Sequence, residues 1–283
     1  MYKRQIDDFD VNVVEKGDIF NPTYDRLGFL GKGEIRLLVA KEFVDLFRSG
    51  SIKKMVVSYT IPLAVLLGMA WLIDFAEAPI PINLLSYAPF LGFFGFNFYS
   101  WLTILDSPEF MNGLPLRVPQ LIRAKVLVYF IVTSWISLIF IILMAWRLEE
   151  WQSLPTSIVV MFANSIYIVA LTAFLMGLRP NQAIFDASIM VWFWIGTVLP
   201  LLGLFLLSFT QGDVSLYGNW WERASEDGLS ATATMYDEGL VRQGYMGMLA
   251  ISGFLLFASA VLWKLMDRSC LLYTSPSPRD DQT

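Results

Sequence analysis

Apolar and polar positions along this chain fall into blocks. From Glu34 to Phe47 the apolar residues Ile35, Leu37, Leu38, Val39, Phe43, Val44, Leu46 and Phe47 recur at roughly helical spacing, with Lys41, Asp45 and Arg48 between or beside them. That spacing predicts a short amphipathic helix ending at Gly50. Lys53 and Lys54 follow it, so the helix suits a position along a membrane surface. Six long apolar runs come next, at about Met55–Ile73, Ile82–Leu105, Val126–Trp146, Ser157–Leu178, Ala183–Phe209 and Tyr245–Leu265. A helix needs about 20 mostly apolar residues to cross the hydrocarbon core of a bilayer, and each run is long enough. A helix in lipid satisfies its own backbone, so the helical reading outranks the β-propensity of Val, Ile and Phe. The expected fold is an all-α polytopic membrane protein with six transmembrane helices, preceded by a short amphipathic interfacial helix. Residues 1–33 read as polar, turn-rich coil, 34–50 as the amphipathic helix and 51–269 as the six-span domain.

Charge placement orients the runs. Lys41, Arg48, Lys53 and Lys54 precede the first. Arg117, Arg123 and Lys125 lie between the second and third, Arg179 between the fourth and fifth, and Lys264 and Arg268 after the sixth. The alternate loops carry Asp74 and Glu77, then Arg147 with Glu149 and Glu150, then a mostly acidic stretch with Arg223 and Arg242. The basic bias falls on one side, which puts both termini in the cytosol of a multi-pass plasma-membrane protein. An odd number of spans would break the alternation. Trp71, Trp146, Trp151, Trp220, Trp221 and Trp263 lie near run ends, as interfacial anchors do. Pro62, Pro89 and Pro200 fall inside runs and are candidate kinks.

Composition agrees. The 283 residues are 56% hydrophobic and 16% charged, against about 45–50% and about 25% in a soluble domain. The net charge of −5 argues against a nucleic-acid partner, which requires a basic face. With no histidine and one cysteine, Cys270, the chain offers neither an internal disulfide nor a thiolate metal site. Both ends look foreign. Residues 270–280, Cys-Leu-Leu-Tyr-Thr-Ser-Pro-Ser-Pro-Arg-Asp, resemble a translated sequencing adapter, and residues 2–5, Tyr-Lys-Arg-Gln, resemble its complement. On that reading residues 1–5 and 270–283 are artefactual and the natural part is a metagenomic fragment of about Ile6 to Ser269.

The loop Asp106–Lys125 carries the most specific pattern. Asp106 and Glu109 are followed by Leu114-Pro115-Leu116, then by a short segment ending in Ala124-Lys125 before the next run. This resembles the cytosolic loop of the ABC-2 family of transporter permeases. Ala40-Lys41-Glu42-Phe43-Val44-Asp45-Leu46-Phe47-Arg48-Ser49 resembles that family's amphipathic helix, and Gly177-Leu178-Arg179-Pro180-Asn181 with Phe185-Asp186 its link between fourth and fifth spans. The resemblance covers most of residues 34–265. It implies a permease subunit that pairs with a second permease copy, identical or not, and with separate ABC ATPase subunits. ATP and Mg would be bound by those partners, with no cofactor or metal in this chain. Physical reasoning fits a coupling role for the loop. Leu114-Pro115-Leu116 and Val118-Pro119 restrict the backbone, Phe110 and Met111 offer an apolar knob, and Glu109 and Arg117 offer charges to set register. A plain cytosolic turn remains the alternative.

Polar residues inside the runs are few. Asn97 and Asn164 suit interhelical hydrogen bonds. Asp186 suits either a helix N-terminal cap or an intramembrane functional carboxylate. Gly28-Phe29-Leu30-Gly31-Lys32-Gly33 is no phosphate loop, because its glycine spacing is too short and no hydroxyl residue follows the lysine. Without histidine or a paired acid and base, an enzyme is disfavoured. Three functions remain open. The chain is an ABC-2 exporter permease, a non-transporting six-span scaffold or assembly subunit, or an intramembrane lipid enzyme. The loop Thr210–Gly244 has no assigned form.

Overall fold

The computed structural model describes residues 19–31, 33–75, 83–98, 118–176, 186–210 and 238–273. Among these residues every element is helical. In chain order they are α1 (Phe20–Arg26), α2 (Glu34–Arg48), α3 (Ser51–Phe75), α4 (Leu84–Phe93), α5 (Val118–Leu148), α6 (Leu154–Met176), α7 (Ala187–Thr210) and α8 (Glu238–Tyr273), with 3-10 turns at Leu27–Leu30, Phe94–Asn97 and Trp151–Ser153. Among the described residues five segments are long and apolar enough to cross a membrane: Ser51–Met69, Pro119–Leu148, Trp151–Met176, Ala187–Ser208 and Tyr245–Asp267. They correspond to the first, third, fourth, fifth and sixth expected runs. The second, Ile82–Leu105, is described only from 83 to 98, where α4 tightens into the turn Phe94–Asn97; its remainder lies outside the described residues.

The outer surface has the character of a membrane protein. Val57, Ile61 and Val65 on α3, Trp192, Leu199 and Leu202 on α7, and Phe254 and Phe257 on α8 are all exposed. Exposed apolar faces on helices this long are suited to lipid and costly in water. Trp71 and Trp146 are 67% and 68% exposed near the ends of their helices, where an amphipathic indole ring suits an interface.

One reading of the sequence is corrected. Residues 20–30, assigned to coil, form α1 and a 3-10 turn. The cause is tertiary packing. Leu27 is buried in the same apolar cluster as Leu38, Val39 and Ala40 of α2, with Phe20 and Tyr24 packed against it. Pro22 sits in the first turn of α1, where a missing N–H costs nothing. Pro119 does the same for α5, which begins eight residues before the expected Val126.

Side-chain pairs across the bundle define its two ends. At one end Gln120 of α5 meets Glu34 of α2, and Arg123 of α5 meets Asp267 of α8. At the other end Leu84 of α4 meets Glu150, Asn83 meets Ser208 of α7, and Ser153 meets Tyr245 of α8. The first is the charged end. Here α2 turns into α3 at Gly50, whose φ of +69° favours a residue without Cβ.

At the centre lies α6. Its consecutive residues Ile168, Val169, Ala170, Leu171, Thr172 and Ala173 are all buried, so that stretch is enclosed on every side, and Asn164 is buried one turn before it. Beside it α4 is buried from Leu84 to Gly92 except at Phe90. Glycine permits the approach. A Cβ on Gly92 would stand 2.6 Å from the Asn164 Cβ and 2.9 Å from the Met161 carbonyl oxygen, and one on Gly95 would stand 3.0 Å from the Ser165 carbonyl oxygen. On this seam Asn164 donates its Nδ2 to the carbonyl of Pro89 at 2.9 Å. Close small-residue contact with a side-chain hydrogen bond across it is how helices associate where lipid removes the hydrophobic drive between them.

Gly92→Ala should therefore destabilise the fold by about 1–3 kcal/mol through overpacking. Gly68→Ala, on α3 with nothing within 4 Å of its added Cβ, should be neutral or stabilise by up to about 1 kcal/mol. Thermal unfolding in detergent compares the two, and equal shifts would contradict the seam.

Candidate functional site

Among the described residues the ion pairs gather at the charged end. Leu38, Glu42 and Leu46 lie on one face of α2, one turn apart, and all three are buried. Glu42 thus occupies a position in an apolar row. Its Oε2 meets Nζ of Lys125 on α5 at 3.1 Å, with side chains only 4% and 3% exposed. Lys41 reinforces the carboxylates on the same helix, with Nζ 3.1 Å from Asp45 Oδ2 and 3.7 Å from Glu42 Oε1.

Three further contacts surround this pair. Gln120 donates its Nε2 to Glu34 Oε2 at 2.9 Å. Arg123 Nη2 lies 2.6 Å from Asp267 Oδ2, joining α5 to α8. Arg36 of α2 donates to the Tyr24 carbonyl through Nε at 2.8 Å, and its guanidinium carbon sits 3.9 Å above the Tyr24 ring. These contacts hold α1, α2 and α8 to the first two turns of α5. Chemically the arrangement offers mechanical coupling. A displacement of the start of α5 is passed to α2 through a pair that resists separation, since a buried charge left alone is costly.

A second polar group occupies the opposite end. Asn83 caps α4, its Oδ1 accepting from the Ser86 N–H at 2.9 Å, while its Nδ2 donates to the Ser208 carbonyl at 2.9 Å. Glu150 Oε2 accepts from the Leu84 N–H at 2.8 Å. Glu149 adopts φ 59°, in the left-handed region, and the Glu150 N–H closes α5 by donating to the Ala145 carbonyl at 3.2 Å. This stop aims the Glu150 carboxylate at the start of α4.

Comparison with protein-family models, with curated proteins and with solved structures finds no match.

The residues singled out in the sequence are placed as follows. Glu109, Phe110, Met111, Leu114, Pro115, Leu116 and Arg117 lie outside the described residues. The helix they lead into, α5, is the one anchored by Arg123 and Lys125. Asn164 is fully buried on the α4–α6 seam. Asn97 is half-buried in the 3-10 turn after α4. Asp186 is exposed, and its Oδ1 accepts from the Ser188 N–H at 3.0 Å, which caps α7. The three do not converge on one site. The Glu42–Lys125 pair was missed. Its signal was present, since a carboxylate four residues from Leu38 and four from Leu46 falls inside the buried stripe. Among the described residues no group of three or more His, Cys, Asp or Glu is arranged to hold a metal ion.

Lys125→Met removes the buried partner of Glu42 and leaves Lys41, 3.7 Å away and partly exposed, as the cation beside it; the change should cost about 3–5 kcal/mol. Lys125→Met with Glu42→Leu should recover most of that loss. A double-mutant cycle on thermal unfolding checks this, and additive losses would mean that the two charges do not act as a pair.

Proposed function

We propose that this chain is the membrane-spanning permease subunit of an ABC-2 type ATP-driven transporter, working as an exporter. It crosses the plasma membrane six times with both termini in the cytosol, and α2 lies at the cytosolic interface. A second permease copy, identical or not, completes the path, and separate ABC ATPase subunits bind ATP and Mg. This chain itself hydrolyses nothing.

The observation that carries the reading is the Glu42–Lys125 pair. It fastens an amphipathic helix that resembles the one before the family's first span to the helix that follows a loop resembling the family's cytosolic loop. Glu109, Phe110, Met111, Leu114, Pro115, Leu116 and Arg117 would meet the ATPase, and Lys125 and Arg123 would pass its movement into α2 and α8. Six crossings are supported by the positions of two helix starts. Asn83 starts α4 at the end away from the charges, and Val118 starts α5 at the charged end, so the two starts lie at opposite ends of the bundle. The charged end is the cytosolic side by the bias of Lys and Arg.

The test is co-purification with a candidate ABC ATPase, for instance one whose reading frame adjoins this gene. Glu109→Arg should weaken ATPase binding by about tenfold or more through like-charge contact, and deletion of residues 111–118 should abolish it. If the ATPase stays bound through both changes, the loop does not couple. If no ATPase binds the unaltered chain, a non-transporting scaffold is the better description.

A further inference from the structure

The four cations bound into the charged end leave a second set facing outward. Arg36, Lys41, Arg123 and Lys125 are all paired with carboxylates of the bundle. Arg48, Lys53 and Lys54 are exposed. They lie within seven residues of one another around the α2–α3 corner, and no acidic residue occurs between Asp45 and Asp74. Among the described residues no carboxylate forms an ion pair with any of the three.

Helical geometry decides what faces this cluster. The buried face of α3 is set by Met55, Tyr59 and Leu63, one turn apart. Lys53 and Lys54 point away from it, on the side that carries Val57, Ile61 and Val65, which are 54%, 57% and 56% exposed. Two cations thus stand about one turn, roughly 6 Å along the axis, below the start of an apolar stripe. At the corner itself Phe47 is exposed beside Arg48, and the hydroxyls of Ser49 and Ser51 lie 2.8 Å apart at the surface. A ligand matching this surface has an anionic head with oxygen acceptors, attached directly to long apolar chains.

We propose that the α2–α3 corner binds an anionic phospholipid, with Arg48, Lys53 and Lys54 on its phosphate group and its acyl chains along Val57, Ile61 and Val65. The inference rests on the chain residing in a bilayer, but it requires no ATPase and no transport. A polar–apolar boundary of this kind selects a lipid over a free anion, because the apolar stripe contributes only when acyl chains are present. Each basic residue near an anionic membrane surface contributes about a fivefold factor in binding.

The experiment uses the full chain, reconstituted in phosphatidylcholine vesicles containing one quarter phosphatidylglycerol, then extracted in mild detergent and analysed by native mass spectrometry for retained lipid. The unaltered chain should retain phosphatidylglycerol in preference to phosphatidylcholine. The triple variant Arg48→Gln, Lys53→Gln, Lys54→Gln should bind phosphatidylglycerol more weakly, on the order of a hundredfold, with phosphatidylcholine unchanged. Arg26→Gln with Lys264→Gln removes two exposed cations elsewhere on this end and should leave retention as it was. The proposal is overturned if the triple variant keeps its phosphatidylglycerol, if the control pair loses as much, or if millimolar inorganic phosphate displaces the lipid. Resistance to alkaline carbonate extraction separates the two levels. Every variant should stay in the vesicles, and release of the unaltered chain would sink the bilayer reading along with the lipid site.

Discussion

A backbone amide surrounded by hydrocarbon has no water to turn to, and an unmade hydrogen bond there costs several kcal/mol. Most of this structure can be read as a response to that constraint. The long helices meet it internally. The start of α4 is buried, so its free N–H groups need partners from elsewhere, and they find Asn83 and Glu150. Hydroxyls inside the spans turn back onto their own helices. Thr133 donates to the Tyr129 carbonyl, Thr172 to Ile168 and Ser259 to Leu255, each four residues earlier. Between helices, Tyr129 donates to the Phe94 carbonyl and Tyr167 to that of Gly196.

The same constraint explains why the two ends differ. At the charged end the ionic groups pair across elements, so that α2 is held by chemistry as well as by apolar packing. At the other end the groups are mostly neutral and serve helix starts. Apolar packing supplies the bulk between them, with Leu84, Leu91, Ile141 and Met144 fully buried around α4 and α5. A buried ion pair adds little net stability over an apolar pair. Its effect at Glu42 and Lys125 is positional, because only one register of α2 on α5 brings those two atoms together.

Much of the helical framework was legible in the sequence. Runs such as Val126–Trp146 and Tyr245–Leu265 exceed the length that bilayer crossing requires, and α5 and α8 contain them. Their boundaries were less legible, since the stretch before Val126 is not continuously apolar and its Ile122 is buried against Leu38 and Val39 of α2, a tertiary fact. The helix α1 was overlooked although Phe20, Tyr24 and Leu27 stand at i, i+4 and i+7, because a stripe of only two turns carries little weight until α2 is there to receive it. Asp186 could be weighed as a cap from its place before an apolar run. Glu42 could not be paired with Lys125, 83 residues away, from spacing alone. The close approach at Gly92 likewise depends on which residue of α6 stands opposite.

The unequal grip on α3 has a mechanical consequence. Met55, Tyr59 and Leu63 clamp its first half, whereas its described side chains from Ala64 to Leu72 are exposed or only half-buried. The helix is fixed firmly at the charged end and held beyond it more lightly, by Leu66 and Leu67 against the central cluster. Pro62 sits where the clamp ends, and its missing N–H makes that point the natural place to bend. The lightly held half can then answer to the thickness of the bilayer around it, tilting further in a thinner membrane. Lipid composition thereby becomes a variable that acts on this one helix before it acts on the packed centre.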